Sequence, residues 1–327
     1  MWHAYVKASA GRFADWVSSL SKGSTTAELP SLDVLMVWHA FMLNPVKYAR
    51  FEKLTNLPRD GLNWAALPTS WNQPMEPLTL PSSSTTTVTS PTFPITTKAG
   101  HLATIDFDLE AAVHRQHSFA TKMTRYAWHR SPDAPIIIHN ATRRYTNFFS
   151  LIKSTRGNMK IVPTLDIDLI WHTHQLRPAA YRSFSRVGPG KGFINHDDTI
   201  KEDTSRMETS FSDTQDVYRR VFGEEYSICL CWACAAAASS SSSSSGPEHV
   251  VDDVRGLQAQ IEGAIEKEHI RRRAAGMSVM PELALPGCEQ CGGHGGRGCV
   301  RGAASGNCVN CDPVQAGCEN CKVGRAE

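Results

Sequence analysis

The chain has 327 residues, with 34 Lys and Arg against 32 Asp and Glu and a formal net charge of +2. That length suits one large domain or two smaller ones with tails, and the near balance of charge argues against nucleic acid as a partner. No run of about eighteen apolar residues occurs, so no membrane-spanning helix is expected; nor does the N-terminus carry an apolar signal core, which points to a cytoplasmic chain whose cysteines are reduced or metal-bound.

Taken in order, Val6, Phe13, Trp16, Val17 and Leu20 stand at amphipathic spacing and predict a first helix from Trp2 to Leu20. The segment Pro30 to Phe51 follows, and Pro163 to Phe184 echoes it. Aligned without a gap, the two share Pro, Leu, Asp, Trp-His, Leu, Pro, Tyr and Phe, nine identities in twenty-two positions. Two copies make a duplicated unit rather than a solenoid. In each, Ser31 or Thr164 reads as an N-cap, Asp33 or Asp166 suits the first turn, and Pro45 or Pro178 stops one helix and opens the next. Asn44 is a good cap for that second helix and Arg177 a poor one. Leu32, Met36, His39 and Leu43 form a stripe in the first copy, and Leu165, Leu169, His172 and Leu176 form its counterpart. A helix pair cannot bury such a stripe alone, so the two copies are expected to pack together, with Trp38-His39 and Trp171-His172 central.

Between the copies, 57–94 is rich in Pro, Ser and Thr and reads as a long loop in which Trp64 and Trp71 could dock on the core. Helices are expected from Asp106 to about His129, from Ile136 to Ile152, and from Phe211 to Phe222, the last closed by Gly223. Ile136 to Ile138 is the best β-like run, but it is short. The favoured class is therefore all-α: a helical core of residues 1–232 built around a duplicated helix-turn-helix unit. A Ser-rich low-complexity linker over 235–249 is expected to be disordered. A charged helix over 250–275 carries only a thin stripe of Val254, Leu257, Ile261, Ile265 and His269, which reads as a solvated helix or a weak partner surface. Arg271 to Arg273 is a solvated helix end or, alternatively, a nuclear signal.

Two clusters carry chemistry. Asp168 lies one turn before His172, and His196, Asp197 and Asp198 follow. His172 and His174 point about 160° apart on a regular helix, so they do not share one ion. Asp168, His172 and His196 can form a two-histidine, one-carboxylate site, with Asp198 or His174 as an accompanying base. The competing reading makes His39 and His172 buried, hydrogen-bonded core residues; Leu35 replaces Asp168 and Phe41 replaces His174 in the first copy. The second cluster is the Gly- and Cys-rich tail of 280–327. Its Cys-x-x-Cys pairs, Cys288 and Cys291, Cys308 and Cys311, Cys318 and Cys321, with Cys299 between, match zinc-ligand spacing, for one ion or two. Cys229, Cys231 and Cys234 form a weaker cluster. No nucleophile elbow, phosphate loop or dinucleotide fingerprint occurs.

The chain resembles the glycine-rich domain-containing proteins of plants and fungi. The resemblance is carried by His114-Arg-Gln-His-Ser-Phe119, Arg144-Tyr-Thr-Asn-Phe148, Asp166-Ile-Asp-Leu-Ile-Trp-His-Thr-His174, Asn195-His-Asp-Asp-Thr199 and Phe222-Gly-Glu-Glu-Tyr226, and by Val37-Trp-His39 near the N-terminus. It implies a helical domain, a low-complexity or glycine-rich tail, and roles in growth and stress responses in plants, with no defined reaction. The reading is an interaction or scaffold protein that meets other proteins and carries a zinc-binding tail. The alternative is a metal-dependent enzyme built on Asp168, His172 and His196.

Overall fold

The computed structural model describes residues 2–21, 30–61, 93–126, 128–155, 158–188, 192–196, 204–228 and 247–276. The calls on Trp64, Trp71, Asp197, Asp198, the Ser-rich linker up to residue 246, the Cys229 cluster and the tail cysteines lie outside those residues. The fold is mostly helical, and the chain divides into two compact units, Met1–Phe119 with Trp171–Lys201, and Ala120–Ile170 with Glu202–Glu327. No helix among the described residues is long and apolar enough to cross a membrane.

In the first unit, α1 (Trp2–Ser21) presents Val6, Ala10, Phe13, Val17 and Leu20 to the core at the spacing read from the sequence. It packs on α2 (Leu32–Met42). Here the stripe read from the sequence is wrong. Leu32 is exposed and Met36 only half-buried, whereas Val34, Leu35, Val37, Trp38, Ala40, Phe41 and Met42 are all buried. A helix apolar on nearly every side is enclosed rather than amphipathic, and no single stripe describes it. A tight turn leads to α3 (Pro45–Leu54), where Asn44 accepts from the Lys47 amide as its cap. Gly61 then passes close to the chain at Leu176; its φ is 69° and a Cβ there would stand 2.4 Å from the Leu176 carbonyl oxygen, so only glycine fits.

A hairpin that the sequence did not announce follows, β1 (Pro94–Thr96) antiparallel to β2 (Leu102–Thr104). Ser18 of α1 accepts from the Thr96 amide, which ties the hairpin to the first helix. Next, α4 (Leu109–Arg125) inserts Leu109, Ala112 and Val113 into the same core. The segment Ile136 to Ile138, β-like in composition, lies inside α5 (Ala134–Thr155) of the second unit. A further helix, α6, spans Leu165–Gln175. It is followed by α7 (Pro178–Phe184), which meets α3 in the first unit.

In the second unit α5 contacts α8 (Thr204–Phe222), which is longer than its apolar period predicts and ends at Gly223, φ 68°. The charged helix α9 (Pro247–Ala274) touches the short 3-10 turn Trp128–Arg130. Its thin stripe is not solvated: Leu257, Ile261 and Ile265 are buried. A narrow stripe suffices there because the helix has a wall to lie on, and Trp128, itself buried, is part of that unit's interior. Arg271 and Arg272 pair with Glu268, and Arg273 with Glu266, so this cluster is tied along its own helix.

Candidate metal centre

The two echoing segments fold alike down to single contacts. Trp38 donates from Nε1 to the Tyr48 hydroxyl at 3.0 Å, and Trp171 to the Tyr181 hydroxyl at 2.9 Å. Phe41 meets the Tyr48 ring edge-on with centroids 5.5 Å apart; His174 meets Tyr181 in the same way at 5.5 Å. Phe41 also lies 5.0 Å from Phe51, as His174 lies 5.0 Å from Phe184. His174 therefore fills the place of a phenylalanine. Burial first, and then the charge of Arg177, lower its pKa.

The first-turn aspartates also correspond. Asp33 pairs with Arg12 of α1, and Asp166 accepts from Arg144 Nε of α5 at 2.6 Å. The hydroxyls of Ser31 and Thr164 turn onto these carboxylates instead of capping their helices. Burial works against the Asp33 charge, yet the hydrogen bonds from Ser31 and Arg12 hold its carboxyl below the usual range. These partners lie 21 and 22 residues away in the sequence, at positions where no local pattern marks them. Asp166 is thus a structural residue of the second unit and stands apart from the metal-ligand set.

The segments differ where the chemistry differs. Leu35 of the first copy is buried in the core; its counterpart Asp168 is half-buried and stands one turn before His172 on α6. His172 is buried between the Phe119 ring, 4.3 Å away, and the His196 ring, 4.9 Å away. His196 is buried too, with Trp171 edge-on at 4.6 Å. One ligand-capable atom from each of Asp168, His172 and His196 can be chosen so that all lie within 4.8 Å of one another. Around an ion with bonds of about 2.1 Å, donor atoms stand about 3 to 3.4 Å apart. The three donor atoms would have to draw closer by side-chain rotation to share one ion.

His196 is already oriented. Its Nδ1 lies 3.2 Å from the Leu43 carbonyl oxygen, which also accepts from Gln175 Nε2 at 3.2 Å. A carbonyl only accepts, so Nδ1 carries the proton and Nε2 keeps its lone pair. Histidine ligands are commonly fixed by such a bond from the nitrogen that does not bind the ion. The preceding Asn195 accepts from the Val46 amide at the start of α3, which anchors the segment. His39 lies near His172 but outside the ligand set; burial first, and then the neighbouring His172, push its pKa down to about 4.

The matches to known proteins are partial. A family model described as glycine-rich domain-containing protein-like matches residues 68–183. The chain is 32% identical over 215 residues to glycine-rich domain-containing protein 2 of Arabidopsis thaliana, covering 61% of this chain and 26% of that one. It is 33% identical over 227 residues to glycine-rich domain-containing protein 1 of the same plant, covering 64% and 26%. The chain thus spans about a quarter of the length of these curated relatives. No solved structure matches.

Proposed function

We infer that the chain belongs to the glycine-rich domain-containing protein-like family, and from that premise we propose that its helical core is a metal-binding domain in which Asp168, His172 and His196 hold one divalent transition-metal ion. The observation that supports this most is the convergence of their donor atoms within 4.8 Å, with both imidazoles buried. Nitrogen and carboxylate donors favour zinc, iron, manganese or a neighbouring metal over a thiophilic one. Three protein ligands leave at least one coordination position for water, as in sites that polarise a substrate or activate that water.

The test is elemental analysis of the intact protein beside His172→Ala and His196→Ala variants, combined with cobalt(II) loading. Thiolate-bound cobalt has intense sulfur charge-transfer bands, so the tail cysteines are separable from a nitrogen and oxygen site. The expected result is one cobalt with nitrogen and oxygen ligand-field bands that is lost in both variants, while any sulfur band, which belongs to the tail cysteines, stays unchanged. Equal metal content and unchanged spectra in the variants reject the site.

A second reading, an interaction protein, is favoured by exposed apolar side chains in the second unit, among them Ile136, Val221 and Ile270. Trp128 is buried and adds nothing to that surface. A pull-down in which the intact chain enriches no partner weighs against it. A cytoplasmic location belongs to the same proposal, and imaging of a tagged chain that shows it elsewhere sinks that part.

A further inference from the structure

The first unit contains a cavity of about 720 Å³ whose walls are unusually basic. Lys53 comes from α3, Arg59 from the chain after it, Lys98 from the hairpin turn, Arg182 from α7 and Arg186 from the strand-like bridge that pairs it with Phe193. Against these five cations stands one lining carboxylate, Glu52, and it is paired with Arg182 at 2.9 Å. Lys53, Arg59, Lys98 and Arg186 have no carboxylate partner among the described residues.

Four uncompensated cations around one concavity repel each other and focus a positive potential into it. Scattered surface lysines do not have this geometry. The backbone that carries them is anchored: the Lys98 amide donates to the Leu54 carbonyl at 2.9 Å, and Arg186 sits on a bridged pair. Gly188 and Gly192 line the same space without side chains, and nothing lies within 4 Å of a Cβ built at Gly192. The volume lies within the range of about 300–1,000 Å³ usual for small-molecule sites.

We propose that this cavity binds a compact ligand that bears two or more phosphate groups. Phosphate supplies the charge that the walls lack, and the guanidinium groups of Arg59 and Arg186 offer forks that match its oxygens. The negative charge of Glu52 is offset by Arg182, and its second oxygen, Oε1, is buried without a hydrogen-bond partner among the described residues and offers an acceptor for a ligand hydroxyl. The same chemistry is offered by a soluble phosphorylated polyol and by a phosphoinositide headgroup.

Calorimetry of the full chain in chelator-treated buffer at physiological salt tests this with inositol hexakisphosphate as the soluble probe. Phosphatidylcholine vesicles with and without phosphatidylinositol bisphosphate are the second arm. Saturable binding is expected, and Lys98→Glu and Arg186→Glu should each weaken it about tenfold or more, because each reverses a charge beside the anion. Both side chains are exposed, so neither change should disturb the fold; circular dichroism checks this, and Lys98→Gln and Arg186→Gln serve where it fails. Lys122→Glu, the same charge change on α4 at a residue that does not line the cavity, should leave binding intact. Binding of the soluble probe alone, or of the bisphosphate vesicles alone, supports the site and identifies the source. No binding in either arm, or equal weakening by Lys122→Glu, overturns it.

Discussion

Arg144 is the side chain whose loss the second unit should tolerate least. It is 4% exposed and its partner Asp166 is 3% exposed. Its Nε donates to Asp166 at 2.6 Å, its Nη1 to the Glu225 carbonyl at 3.2 Å, and its Nη2 to the Tyr226 carbonyl at 2.6 Å and the Thr164 hydroxyl at 3.3 Å. The rings of Tyr218 and Tyr226 lie 5.8 and 5.7 Å from the guanidinium carbon. Arg144→Met keeps much of the volume and removes every donor. Breaking a buried pair from one side costs about 3–5 kcal/mol, since a charge is left without its counter-ion. The carbonyls of Glu225 and Tyr226 lose a donor too, and with the pair broken we expect a loss of about 4 kcal/mol in all. Against a total stability of about 5–15 kcal/mol that is a large share. Adding Asp166→Leu should recover about 2 kcal/mol or more relative to the sum of the single changes, because the stranded charge is gone. Urea unfolding followed by circular dichroism gives the free energies, and hydrogen exchange across 134–226 shows whether the loss is local. A cost below about 1 kcal/mol for Arg144→Met, or strict additivity in the double variant, refutes the reasoning.

Three further outcomes are expected. Glu224 accepts from Arg143, and from Tyr218 and Asn147; the Arg143 hydrogen bond leads the causes that lower its pKa from 4.5 to about 2. A carboxylate depressed in the folded state adds stability above its unfolded pKa, and that stability is lost as pH falls from about 4.5 to about 2. Solvent screening of the partly exposed pair reduces the full linkage value to about 1–2 kcal/mol; Glu224→Gln should flatten this part of the stability profile, and an unchanged slope counts against the pairing. His174→Phe should alter stability by no more than about 1 kcal/mol, because Phe41 occupies the corresponding place; a loss of several kcal/mol in thermal unfolding shows that the imidazole has a polar duty. We propose that Cys288, Cys291, Cys299, Cys308, Cys311, Cys318 and Cys321 bind zinc, so that titrating zinc into the tail releases protons and slows alkylation; alkylation rates that do not change with zinc dispose of it.

Helix-level features were legible wherever one residue's neighbours in sequence are also its neighbours in space. The proline at N1, the Asn44 cap and the one-turn spacing of Asp168 and His172 are of that kind. His196 was within reach because it sits in a motif of its own, although only the fold brings its ring to 4.9 Å from His172. Features that depend on distant partners were not legible. Ser31 and Thr164 look like caps, but an arginine from another helix binds each carboxylate, and the hydroxyl turns to the carboxylate as well. The hairpin strands have three residues each, too few for an alternation to register. The basic cavity draws its cations from positions 53 to 186, so no charge run in the sequence announces it.

The doubly used carbonyl of Leu43 bears on how the domain can be divided. The region matched by the family model, 68–183, contains Asp168 and His172. It omits the whole first helix-turn-helix, including the oxygen that accepts from both Gln175 and His196, and it omits His196 itself. A fragment cut to those limits would strip the second segment of its acceptor and of one of the three proposed ligands. Because the missing oxygen belongs to the main chain, no side-chain substitution elsewhere restores it. The smallest piece on which the metal site can be judged therefore begins before Leu43 and ends after His196, and a negative result from anything shorter says nothing about the intact protein.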